Sequence, residues 1–117
     1  MAEHTITMTV AAGTTGPLIL SDDEGHSAST TTNDQNFTTN VGQGDTVTWN
    51  IGAGSTITKI QVVEDTGDLF STNPAPADGG TSVSGVISST ATGGDTYTIN
   101  YWIGSAQYSQ DPKLQMN

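Results

Sequence analysis

Gly44-Asp45-Thr46-Val47-Thr48-Trp49 and Gly94-Asp95-Thr96-Tyr97-Thr98-Ile99 are two copies of one short pattern. In each, a Gly-Asp pair opens a run in which threonine alternates with a large apolar residue. Gly and Asp favour turns, one by tolerating positive φ and the other by bonding local amides. Period-two alternation is the mark of a half-buried strand. The two copies therefore predict strands over Thr46 to Ile51 and Thr96 to Ile103, with Val47, Trp49 and Ile51 sharing one face of the first and Tyr97, Ile99, Tyr101 and Ile103 sharing one face of the second.

The same reading extends outward. Ile6, Met8 and Val10 alternate with Thr5, Thr7 and Thr9 in a first strand over His4 to Val10. Leu18-Ile19-Leu20, Phe37 to Val41, Ile57 to Val63 and Thr81 to Ser88 supply further strands, and Leu114 and Met116 share a face at the end. In Thr81 to Ser88 the step from Val83 to Val86 predicts a bulge at Gly85. Asn73-Pro74-Ala75-Pro76-Ala77-Asp78-Gly79-Gly80 cannot be a central strand, because its prolines donate no ladder bond and its glycines favour turns. No segment carries a helical period, and Ser27 to Asn36 reads as a polar loop. Short strands spaced by Gly-rich turns predict an all-β fold, an antiparallel Greek-key β-sandwich of seven or eight strands. At 117 residues the chain reads as one domain, 1–117.

Composition excludes several functions. The net charge is −10, from twelve acids against Lys59 and Lys113, with no arginine. Nucleic-acid binding needs cations to displace counterions, so no nucleic-acid partner is expected. Anionic membranes are disfavoured for the same reason, and no apolar run reaches the ~18 residues that would suggest a membrane span. There is no cysteine, hence no disulfide and no thiolate chemistry. The start lacks the basic and apolar regions of a secretory signal. The expected location is therefore the cytoplasm, or outside the cell by a non-classical route or as a component of an assembly.

The two Gly-Asp strands carry a resemblance. Gly44 to Trp49 resembles the strand before the first copper ligand of cupredoxins. Gly94 to Thr98, followed by Tyr101, resembles the strand leading to their ligand loop, and Asp111-Pro112-Lys113-Leu114-Gln115-Met116 resembles their last strand. An immunoglobulin-like domain shares the pattern, and Tyr97 resembles the tyrosine corner of that fold. The resemblance implies a cupredoxin-like scaffold but no copper. A blue-copper site needs two His and a Cys, and Tyr101 to Gln110, where the family places its ligands, holds none.

No catalytic constellation is present. His26 follows Asp22-Asp23-Glu24 within one turn, whereas a Ser-His-acid triad converges from separate segments. Asp22, Asp23 and Glu24 form a calcium candidate, since that ion takes clustered oxygen ligands; Asp65, Asp68 and Asp78 form a looser one, and otherwise no cofactor is expected. Asp45 and Asp95 read as turn acids. Trp102 falls out of phase with the core, beside Thr98 and Asn100. It is a candidate contact residue with Asn100 and Tyr108, either anchoring a protein or stacking on a sugar; a structural role under the following loop is the alternative. The uncharged threonine side of the first strand suggests an edge that pairs with another copy. An ice-binding array would require a regular repeat that the threonines lack in sequence.

These features predict a non-enzymatic domain for protein–protein association or structural assembly. The expected partner is itself or another protein. A module binding carbohydrate or calcium is the alternative.

Overall fold

The computed structural model describes residues 2–11, 13–64 and 69–116. Among them are eleven strands in two sheets. The chain runs β1 (Glu3–Thr9), β2 (Ile19–Asp22), β3 (Ser27–Ala28), a short helix α1 (Thr31–Asn36), β4 (Thr38–Val41), β5 (Thr46–Ile51), β6 (Lys59–Glu64), β7 (Phe70–Ala77), β8 (Ser82–Ile87), β9 (Gly94–Ile103), β10 (Ala106–Gln110) and β11 (Lys113–Met116). One sheet has six strands in the order β3-β2-β1-β5-β8-β7. In the other, β9 is central: β6 pairs with it on one side, β10 and β11 share the other, and β4 follows β11.

The all-β sandwich is as the alternation predicts, with two differences of detail. β1 runs parallel to β5 and β4 parallel to β11, so the sheets are mixed. The strand count is higher because β3, β7 and β10 lack the period-two signal. Hairpin closure at Gly104, with φ of 64°, places the polar β10 against β9. β7 contains Pro74 and Pro76 and is an edge strand, with register shifts on either side of Thr72. Proline is tolerated there because no further strand needs its missing donor.

The register shifts correct the expected bulge at Gly85. Gly85 keeps the inward phase between Val83 and Ile87, and the irregularity lies on β7 opposite it. A Cβ at Gly85 would stand 3.0 Å from the Phe70 ring and 3.0 Å from the Thr72 carbonyl. The glycine makes room for an aromatic ring. Ser27 to Asn36 also differs from expectation, since it holds β3 and α1. Thr30 caps the helix by accepting the Asn33 N–H at 3.1 Å, the usual work of an N-cap hydroxyl.

The two Gly-Asp strands meet across the sandwich. Trp49 of β5 and Tyr97 of β9 are both fully buried, with ring centroids 5.4 Å apart in an edge-on arrangement. The Trp49 indole Nε1–H donates to the Tyr97 hydroxyl at 3.2 Å. Tyr97 is thus no tyrosine corner; the tyrosine that reaches backbone is Tyr101, whose hydroxyl donates to the Thr15 carbonyl at 2.8 Å. Phe70 closes a third side of Trp49 at 6.3 Å. Ile6, Met8, Leu20, Val47, Ile60, Ile99 and Leu114 complete the core.

Removing the central aromatic leaves a cavity that this jigsaw cannot collapse. Trp49→Ala is predicted to cost about 3–5 kcal/mol, measured by urea denaturation. A midpoint unchanged from the parent protein would contradict the packing described.

Candidate functional surfaces

Strand directions put the turns at two ends. β1, β5 and β9 begin where β2, β6, β8 and β11 finish. At that end stand Glu3, Asp22, Asp23, Glu24, Asp45 and Glu64. At the other end the connections over 10–18, 52–58 and 104–105 carry no charge, and the one over 78–81 holds Asp78.

The acidic end is a bonded network. Gly44, with φ of 80°, turns the chain so that Asp45 faces back toward the start of β1. Asp45 Oδ1 accepts the Ala2 N–H at 2.8 Å, while Oδ2 accepts Gly42 N–H at 2.7 Å and His4 Nε2 at 2.8 Å. His4 Nδ1 lies 3.4 Å from Asp23. Burial works against a charged His4 ring, but the bond to Asp45 and the charges of Asp23 and Asp45 outweigh it, so its pKa is raised. Burial likewise opposes the Asp45 carboxylate, and its bonds to Ala2, Gly42 and His4 prevail, so its pKa is lowered. Asp45 is a turn acid as expected, and it also fastens β1 beside β5.

The calcium candidates separate. Asp22, Glu24 and His26 bring ligand atoms within 4.8 Å of one another, whereas Asp23 turns away to His4. Asp22 Oδ1 accepts the amides of Glu24 and His26, each at 2.9 Å; Oδ2 accepts His26 Nδ1 and the Thr39 hydroxyl, each at 2.8 Å. Those four donors use the carboxylate's lone pairs. Burial disfavours its charge, but these bonds win and lower its pKa; the His26 pKa is raised, chiefly by the same Asp22 bond. Glu24 accepts the Asn40 amide at 2.9 Å. The cluster stitches the β2–β3 turn of one sheet to β4 of the other. Asp65 and Asp68 lie outside the described residues, as does the side chain of Asp78.

Trp102 and Asn100 stand together on the outer face of the five-stranded sheet, half-buried. Tyr108 does not join them. It pairs with Tyr101 in register and stacks on it at 5.5 Å, on the inner face, because directly opposed residues share a side of the sheet. The neighbours of Trp102 are Lys59 and Gln107. Lys59 Nζ sits 4.8 Å from the centre of the Trp102 ring, a contact worth about 0.5–1 kcal/mol at an exposed site. A sugar stacking on that side of the ring would have to displace the lysine. Asn100 Nδ2 donates to Gln61 at 3.2 Å.

The outer face of the six-stranded sheet is different in kind. β1 presents Thr5, Thr7 and Thr9. In register beside them β5 presents Thr46, Thr48 and Asn50, and β8 presents Val86, Ser84 and Ser82. β2 adds Ile19 and Ser21, and β7 adds Thr72, Ala75 and Ala77. Among the described strand residues facing this way, Glu3 alone is charged, at the rim. β1 lies between β2 and β5, so it has no free edge; the threonines expected to form a pairing edge form a face instead.

The chain belongs to the family described as Domain of unknown function (DUF8788), whose model matches residues 5–116. A comparison with curated proteins finds no match. Among solved structures, the crystal structure of the cysteine protease inhibitor EhICP2 from Entamoeba histolytica is 12% identical, with 99% of this chain and 96% of that chain covered and a TM-score of 0.48. The solution structure of Amebosin is 17% identical, with 73% and 92% covered and a TM-score of 0.36.

The acidic-end network fixes a pH response. His4 and His26, with raised pKa values, stabilise the fold fully below the unfolded value of ~6.5 and lose that contribution as pH rises through the folded values. Asp22 and Asp45, with lowered pKa values, stabilise it above ~3.9 and lose the contribution as pH falls through theirs. Thermal melts are predicted to be highest in mildly acid solution, at about pH 4–6, and to fall toward pH 8. His4→Gln should flatten part of that alkaline decline. A melting temperature that rises steadily from pH 5 to pH 8 would contradict the assignment.

Proposed function

We propose that this chain is a non-enzymatic association domain that docks copies of itself through the outer face of the six-stranded sheet. The carrying observation is the neutrality of that face in a chain of net charge −10. Like-charged molecules repel wherever acids face each other. A face with one rim charge lets two copies approach with the fewest like charges opposed. Threonine suits such a contact: its branched side chain has little rotamer freedom to lose, and it offers both a methyl and a hydroxyl. Six strands at ~4.8 Å spacing make a patch of roughly 25 by 20 Å in plan, on the scale of the ~800 Å² per partner of a specific interface. The sheet's edges favour stacking over strand addition, because β7 is guarded by prolines and register shifts and β3 has two residues.

The cupredoxin-like reading of the scaffold remains part of this proposal, supported by the Gly-Asp strands that bring Trp49 and Tyr97 together. A second association surface, for another protein, is supported beside Trp102 and Lys59, where the connections over 52–58 and 104–105 carry no acid and the one over 78–81 carries only Asp78. The carbohydrate alternative is less well supported, since Lys59 already lies against Trp102.

Sedimentation over a concentration series tests the proposal. Self-association should strengthen as salt screens the −10 charge. Thr48→Glu places a new charge in the middle of the face and should weaken association at least about tenfold. Gln61→Glu adds the same charge on the opposite face, keeps the acceptor for Asn100, and should have much less effect. A strict monomer at all concentrations, or equal effects of the two variants, would overturn it.

A further inference from the structure

Asp34 is the one described carboxyl that is 0% exposed with neither oxygen bonded. Buried polar groups are almost always paired, and an ionised carboxylate without a partner is strongly disfavoured in a protein interior. Asp34 lies in α1, which has six residues. A helix that short does not persist without its packing. α1 packs against β10, whose Tyr108 stacks on Tyr101. No described lysine, histidine or acid acts on Asp34, and Tyr101 is the described titratable group that senses its charge. Among the described residues, no side chain on the neighbouring elements therefore offsets a negative charge at this position.

We propose that α1 is a proton-dependent latch, seated on β10 while Asp34 carries a proton and released when Asp34 ionises. Burial pushes this carboxyl up to about 7, so seating weakens as pH rises from the exposed value of ~3.9 to neutrality. The consequence is local. Asn33 and Asn36 of α1 form one wall of an open groove of about 570 Å³, and His26, Ser27, Phe37, Thr38 and Asn40 line the rest. Seating of α1 sets the shape of that groove, so its access to solvent changes with pH while the sandwich core stays intact. The latch is independent of the association face, which lies on the six-stranded sheet.

Hydrogen exchange of the full chain tests the latch. After correction for intrinsic exchange, protection over 30–37 should fall about tenfold between pH 6 and pH 8.5, because ionisation weakens the seated state about tenfold per pH unit between the exposed carboxyl value of ~3.9 and the seated value, and no further above it. The core strands β5 and β9 should stay protected throughout. Asp34→Asn cannot ionise and should hold α1 equally at both pH values. His26→Gln, which alters the groove but not Asp34, should retain the parent's pH dependence. A carboxyl NMR titration of the parent protein provides a second reading that needs no variant: Asp34 should titrate near neutrality together with the α1 amides. The latch is overturned by equal protection at both pH values, by an Asp34→Asn variant that follows the parent, or by a carboxyl midpoint near 4.

Discussion

Trp49 and Tyr97 hold the sandwich in register. One comes from each sheet, each from a copy of the same Gly-Asp-Thr pattern, and they share a ring contact and a hydrogen bond at full burial. Two large aromatics from facing strands fix the separation and offset of the layers in a way that aliphatic packing alone does not. Burial raises the Tyr97 pKa, so the hydroxyl stays neutral and available to accept the indole N–H. The sequence repeat is therefore a spatial pairing: its copies are the two strands whose side chains must find each other.

The distribution of charge follows from the same framework. Asp45, at the turn of the first copy, anchors the chain start and fixes β1 parallel to β5. That pairing makes β1 a central strand and aligns its threonines with those of β5. The acids gather at the turns beside Asp45, where backbone amides and two imidazoles satisfy several of them. With acid concentrated at one end, the six-stranded face is left almost neutral. A charged chain thus keeps one sheet face nearly free of charge without needing many cations.

What could be read in the sequence depended on locality. Period-two alternation placed β1, β5 and β9 and assigned Trp49, Tyr97 and Tyr101 to the core, because phase along a strand needs only neighbours. Tyr108 was misplaced because β10 has no alternation of its own; its side is set by pairing with β9. Asp22 and Glu24 were visible as a cluster, but their donors include Thr39 and Asn40, brought in by the opposite sheet. Lys59 reaches Trp102 from a strand 43 positions earlier in the chain, through register alone. Nothing in Thr31-Thr32-Asn33-Asp34-Gln35-Asn36 announces burial of its one charged residue. Its helix comes from the Thr30 cap, and its burial from packing on β10.

The central claim concerns which face of the sandwich meets another molecule. Amide chemical shifts followed over a dilution series address that residue by residue. The account predicts concentration-dependent shifts gathered at Thr5, Thr7, Thr46, Thr48 and Ser84, with Asn100 and Gln61 unchanged. Shifts confined to the Trp102 face, or a spectrum that does not change with concentration, would contradict it.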